Sequence, residues 1–226
     1  MKFFLKALLL TGLCFGTSAK SQILVDTALV RTPSDLCLGP TLSLSKIEYN
    51  NEDDNTFTVK RKTLGLGLVY KLDADVGLLM QMGYTFDAEF EDSDLDNGTG
   101  YMAGMGVNFT MYRNRKVALI GYGLLNYVED RYKEKYVHID MHVTDIHMGG
   151  LVLVKASPRV GIFGGIDLVP YSEGSLDYHH GKLDISREEI LNLKLGLEFN
   201  LPGAVIKPEV TLLGEETFSL MASFAM

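Results

Sequence analysis

Residues 76–90 read Val-Gly-Leu-Leu-Met-Gln-Met-Gly-Tyr-Thr-Phe-Asp-Ala-Glu-Phe. Every even position (Val76, Leu78, Met80, Met82, Tyr84, Phe86, Ala88, Phe90) is apolar or aromatic. The odd positions Gly77, Leu79, Gln81, Gly83, Thr85, Asp87 and Glu89 include a single large hydrophobe. Side chains change face at every residue of a strand, but only every 3.6 residues around a helix. This stretch is therefore a strand with one greasy face and one face of glycine and polar groups.

The same signature recurs on both sides of it. Leu64, Leu66, Leu68, Tyr70 and Leu72 alternate with Gly65, Gly67, Val69 and Lys71. Tyr101 to Met111 and Leu191 to Leu201 repeat the pattern, and Leu36, Leu38, Leu42 and Leu44 begin it, with Pro40 marking an irregularity. The alternation predicts about ten strands, with eight as the alternative. Their spans are 36–49, 57–72, 76–91, 99–112, 116–129, 137–155, 159–171, 188–201, 204–213 and 217–226. Short connections at Asp73-Ala74-Asp75, Arg113-Asn114-Arg115, Ser157-Pro158 and Pro202-Gly203 alternate with longer ones near 50–56, 92–98, 130–136 and 172–187. The turn at Gly214 is tight. This rhythm predicts an all-β, up-and-down antiparallel transmembrane barrel.

The glycines decide which face meets what. A soluble β-protein would coat its outer face with Lys, Glu and Thr. Here the second face carries Gly65, Gly67, Gly77, Gly83, Gly104 and Gly106. Glycine weakens a water-facing strand, but it leaves room inside a narrow closed bore. The Leu/Phe/Met face is then expected to meet lipid, and closure satisfies every backbone polar group. Tyr70, Tyr84, Phe86, Phe90, Tyr101, Phe109, Tyr122 and Tyr127 lie towards strand ends, where an interfacial belt would sit.

The 226-residue chain carries 21 basic and 29 acidic residues, a net charge of −8 that argues against a nucleic-acid partner. Residues 1–19 read as a signal peptide: Lys2 and Lys6, a short apolar run from Leu8 to Phe15, and Thr17-Ser18-Ala19 before the cut. Residues 20–226 then form one barrel domain. Loss of Lys2 and Lys6 leaves 19 basic against 29 acidic residues, a net charge of −10. Loss of Cys14 would leave one cysteine, Cys37, and a single cysteine forms no internal disulfide.

At the other end, Phe218, Leu220, Ala222, Phe224 and Met226 alternate to the last residue. This resembles the terminal-strand signal of small bacterial outer-membrane β-barrels, although the usual final Phe is replaced by Met226. The resemblance implies an outer-membrane location, periplasmic termini, the barrel-assembly machinery as partner, and lipid bilayer and lipopolysaccharide as surroundings. It implies no particular activity.

Three groups of residues are candidates for chemistry. Asp92, Asp94 and Asp96 alternate in an acidic loop and suggest a divalent cation, without the closing Glu of an EF-hand. His138, Asp140 and His142 share one strand face, and Asp145 and His147 fall on the other; together they suggest a metal site or an Asp–His pair activating water. Omptin-type outer-membrane proteases use such pairs at the rim, but this chain carries no matching motif. Ser172 and Ser175 lie near His179 without a diagnostic spacing, and GxSxG and HExxH are absent. Lys71, Lys194, Glu198, Lys207 and Glu209 are expected on the inner face, pairing across the lumen. The expectation is a non-enzymatic barrel without cofactor, serving envelope structure, adhesion or partner binding. The alternatives are a narrow porin-like channel and an outer-membrane hydrolase or lipid-A-modifying enzyme.

Overall fold

A computed structural model of the chain describes residues 36–52, 55–91, 98–134, 137–178 and 181–225. The signal-peptide reading, the Asp92, Asp94 and Asp96 loop, His179 and Met226 lie outside the described residues. The strands are β1 (Leu36–Asn51), β2 (Thr56–Lys71), β3 (Val76–Phe90), β4 (Gly98–Arg113), β5 (Val117–Glu134), β6 (Val137–Lys155), β7 (Val160–Tyr178), β8 (Gly181–Arg187), β9 (Leu191–Leu201), β10 (Ala204–Leu213) and β11 (Glu215–Ala225). Each of β1 to β7 pairs antiparallel with the next. The sheet continues from β7 through β9 and β10 to β11, which pairs back onto β1 from Cys37↔Ala225 to Ile47↔Glu215. The result is a closed antiparallel barrel of ten strands.

Alternation governs which residues face the bore. Along β1, Cys37, Thr41, Ser43, Ser45, Ile47 and Tyr49 are buried, while Leu36, Leu38, Leu42 and Leu44 face out. On neighbouring strands the outward side chains are large and apolar: Leu64 is 57% exposed, Met82 62% and Met105 59%. The outward run of β4 from Tyr101 to Met111, at roughly 3.3 Å per residue and about 45° of tilt, spans about 23 Å, the height of a barrel's lipid band. Inward glycines make room for polar neighbours. A Cβ on Gly104 would lie 2.8 Å from Asn126 Oδ1 and 2.9 Å from Gln81 Cγ, and Gln81 donates to Asn126 across that space at 3.0 Å.

The upper end differs from the sequence expectation. The segment 172–187, expected as a loop, continues β7 to Tyr178 and returns as β8. β8 pairs with β7 (Gly174↔Ile185 to Tyr178↔Gly181) and with the top of β1 (Tyr49↔Arg187 to Asn51↔Ile185). β8 and β9 thus form one descending strand with a jog at 188–190. The β10–β11 hairpin stops short, at a turn where Leu213 takes φ 76°. Above that turn β8 reaches β1 directly, so an eight-stranded collar stands on a ten-stranded base. The closed barrel has the ten strands expected from the sequence rather than the alternative eight, and the collar is built with the additional strand β8. Of the expected long connection at 130–136, residues 130–134 are strand, because β5 and β6 pair up to Glu134↔Val137.

Register shifts overturn parts of the simple alternation. Between Thr85 and Ala88 the β3 register slips against both neighbours. Ala88 and Phe90, expected on the lipid face, instead turn inward and are buried in the collar. Tyr122, counted in the aromatic belt, lies on the inner face of β5, 3% exposed. In β7, Val169 and Pro170 together stand opposite the single residue His147, between the pairs Ile146↔Tyr171 and Met148↔Leu168, a bulge of one extra residue. Proline donates no ladder hydrogen bond, so a bulge tolerates it.

The bore is filled. Ala118, Leu153 and Phe163, with a second cluster around Leu79, Ile120 and Leu151, close its lower half. Ile47, Tyr49, Phe90, Tyr132, Met141 and Ile185 close the collar. Within that collar the Arg61 guanidinium is 2% exposed and donates to Asp130 at 2.5 Å and to the Tyr49 hydroxyl at 3.3 Å. Neighbouring walls approach closely at glycine: a Cβ on Gly165 would lie 1.9 Å from the Gly150 carbonyl oxygen. Gly165→Ala is expected to cost about 1–3 kcal/mol by forcing β6 and β7 apart, read as a lower urea midpoint of the barrel folded in detergent.

Candidate functional site

Two polar groupings stand out, one inside the wall and one on it. The inner one lies between the apolar layers. His147 Nδ1 is 3.0 Å from Asp167 Oδ2, and Asp167 also accepts from the Tyr122 hydroxyl at 2.8 Å and from Asn192 Nδ2 at 3.1 Å. Arg187, at the foot of β8, donates through Nε and Nη2 to Asp145 Oδ2 at 3.0 and 2.6 Å, and through Nη1 to Glu215 at 2.6 Å. It therefore binds the collar strand β8 to β6 and to the top of β11. Lys194 lies 3.6 Å from Glu209. Lys194, Glu198, Lys207 and Glu209 are all buried within the lumen, and Lys71 lines its lower mouth. His147 and Asp167 are each essentially unexposed, so this Asp–His pair offers no face to a substrate.

The five residues of the His/Asp cluster are split as the strand period requires. Asp145 and His147 point inward, and His138, Asp140 and His142 point outward. Among the described residues no group of three His, Cys, Asp or Glu side chains is placed to hold a metal ion.

The outer grouping was not legible in the sequence, because its members come from separate strands. Cross-strand register sets Tyr101 opposite Glu129, Glu129 opposite His142, His142 opposite Ser175, and Ser175 opposite Asp184. This places one row of side chains across β4 to β8 on the outer wall, just above the apolar band. Glu129 faces outward yet is only 5% exposed. Tyr101 donates to its Oε2, Arg131 binds its Oε1 at 2.6 Å, and the Tyr127 hydroxyl lies 3.3 Å from Oε2. The same hydroxyl is 3.0 Å from His142 Nδ1. Asp177 Oδ2 lies 3.7 Å from His142 Nε2 and accepts from Ser175 Oγ at 3.4 Å. A cavity of about 240 Å³ opens over His142 and over Ser175, itself only 7% exposed, and is bordered by Thr144, Tyr171, Glu173, Lys182 and Asp184.

Farther round the wall, Lys46 and Lys60 flank Glu91 at 3.2 and 2.9 Å. The hydrogen bond from Lys60, and then Lys46, holds the Glu91 carboxyl below the usual carboxylate range. The stability this gives is present above that range and fades as pH falls through the depressed value.

A closed antiparallel bore, an outward apolar band and a polar, packed interior define a small outer-membrane β-barrel. No family model matches the sequence, and no curated protein matches it. Solved structures share its fold. The translocator domain of the autotransporter NalP from Neisseria meningitidis superposes with a TM-score of 0.54 at 8% identity, covering 88% of this chain and 91% of that one. The outer membrane protease OmpT from Escherichia coli superposes at 0.52 and 6% identity, covering 87% of this chain and all of OmpT. At these identities the likeness is one of architecture.

Proposed function

We propose that this protein is a sealed bacterial outer-membrane barrel that works through its outer wall and collar, as a partner-binding or adhesive element of the cell surface. The observation that carries this reading is the filled bore: apolar layers above and below, with buried ion pairs between them. In a barrel of this size such pairing closes the lumen. In the cell the short-turn end, with both termini, faces the periplasm, and the collar stands out among lipopolysaccharide. The outward row Phe218, Leu220 and Phe224 suits recognition by the barrel-assembly machinery. A divalent cation at Asp92, Asp94 and Asp96 would bridge the acidic loop to lipid phosphates.

Reconstituted in a planar bilayer, the full-length mature protein is expected to give no steady ion steps. Regular single-channel steps would overturn the sealed reading in favour of a narrow channel for small solutes. The hydrolase reading is favoured by one specific observation, the Ser175 and His142 juxtaposition on the outer wall.

A further inference from the structure

We propose that Ser175 and His142 form an ester-cleaving pair on the outer wall of the collar, acting on the acyl ester of a membrane lipid. This goes beyond a binding role and uses no part of the bore.

Four observations converge on it. The first is register: His142 and Ser175 are direct cross-strand partners on the same face, and side chains so paired have Cβ atoms roughly 5 Å apart. Gly174 permits the approach, since a Cβ there would lie 2.3 Å from the His142 carbonyl oxygen.

The second is orientation. With Nδ1–H donated to the Tyr127 oxygen, and Tyr127 in turn donating to Glu129, the imidazole is held with Nε2 turned towards β7. A buried acid thus orients the base through a hydroxyl relay, which is the logic of a nucleophile–base–orienter triad. Asp177 Oδ2 sits within 3.4 Å of Ser175 Oγ and 3.7 Å of Nε2. Its carboxylate is 44% exposed and stands between the hydroxyl and the imidazole, so the pair acts only once Asp177 turns aside. Catalytic hydrogen bonds are commonly long before substrate binds.

The third is space: the cavity lies over both residues, and its border carries Glu173 and Asp184 as well as Lys182, whose Nζ is 3.6 Å from Asp184 Oδ1. The fourth is height. Ile146 and Leu168 face out from the same strands just below, and Tyr171 lies at the boundary, so a lipid in the outer leaflet would present its ester carbonyls at the level of Ser175.

The chemistry balances without a cofactor. Ser175 Oγ adds to the ester carbonyl carbon while its proton passes to His142 Nε2. The tetrahedral intermediate collapses, the bond to the alkoxy oxygen breaks, and the alcohol leaves with that proton. Water then adds to the acyl-Ser175 ester, giving its proton to His142. The carboxylic acid departs and the proton returns to Ser175 Oγ.

The test uses the full-length barrel reconstituted separately with diacyl phosphatidylethanolamine vesicles and with purified lipopolysaccharide, and it measures released fatty acid. A fluorophosphonate probe and peptide mapping report serine reactivity in parallel. Fatty acid is expected from one of the two ester substrates, which identifies the lipid, and none from diether phospholipid. The probe is expected on Ser175. Ser175→Ala and His142→Gln should each lose release by roughly 100-fold or more, with heat-modifiable migration intact, while Ser186→Ala on the neighbouring strand retains it. No release from either substrate by the unmodified protein overturns the proposal, as does undiminished release by Ser175→Ala or His142→Gln.

Discussion

Arg187→Met is expected to cost the barrel about 3–5 kcal/mol. Arg187 is buried where the eight-stranded collar meets the ten-stranded base. It supplies three short hydrogen bonds to two carboxylates that are themselves buried. Methionine fills comparable volume, so packing is largely kept. What is lost is the charge that makes Asp145 and Glu215 tolerable away from water. The same guanidinium is the only cross-link of this kind between β8 and the top of β11 among the described ion pairs. The collar seam should therefore open first. The measurement is urea unfolding in lipid vesicles followed by heat-modifiable gel migration, with limited proteolysis reporting cleavage near 188–190. Adding Asp145→Asn and Glu215→Gln to Arg187→Met should recover part of the loss, because the uncompensated charges are then gone. An unchanged midpoint for Arg187→Met would mean that the junction does not depend on this residue.

The second large effect concerns the outer face. Met105 lies midway along the outward apolar run of β4, between outward Met80 on β3 and Leu125 on β5. Met105→Arg should destabilise the barrel by about 2–4 kcal/mol in a bilayer, and Met111→Arg, at the end of the run, by about 0–1 kcal/mol. The gradient is the diagnostic quantity. A water-facing sheet would accept arginine at both positions with little cost, since exposed substitutions of that kind usually change stability by about 0.5 kcal/mol or less. Equal small effects at the two sites, measured by reversible folding into vesicles, would remove lipid from the outer face.

The different fates of Val76–Phe86 and of Ala88 and Phe90 show where alternation stops being enough. Up to Phe86 the period of two assigns every side chain to its observed face. Beyond Thr85 a bulge inserts an extra residue, and the same parity then points inward. A bulge leaves no mark in hydrophobic periodicity when the residues after it remain apolar. Tyr122 was misplaced for a related reason: an aromatic ring suits both an interfacial belt and a packed bore, and only its hydrogen bond to Asp167 shows which it occupies. The strand β8 escaped because Gly181–Arg187 stands in the collar, where the outer face meets water and Lys182, Asp184 and Ser186 need not be greasy.

The sequence alone determined the strand period, the closure, and the side that meets lipid. All three follow from a two-residue repeat whose second face is too rich in glycine for water. The split of the histidine cluster between the two faces was equally legible, because parity along a single strand requires no partner. Only the tertiary structure decided what lies next to what across strands. Register placed His142 between Ser175 on one neighbouring strand and Glu129 on the other. The short β10–β11 hairpin set an eight-stranded collar above a ten-stranded base and put Arg187 at the joint. Register is fixed by the pairing of whole strands around a closed ring, so no single segment encodes it.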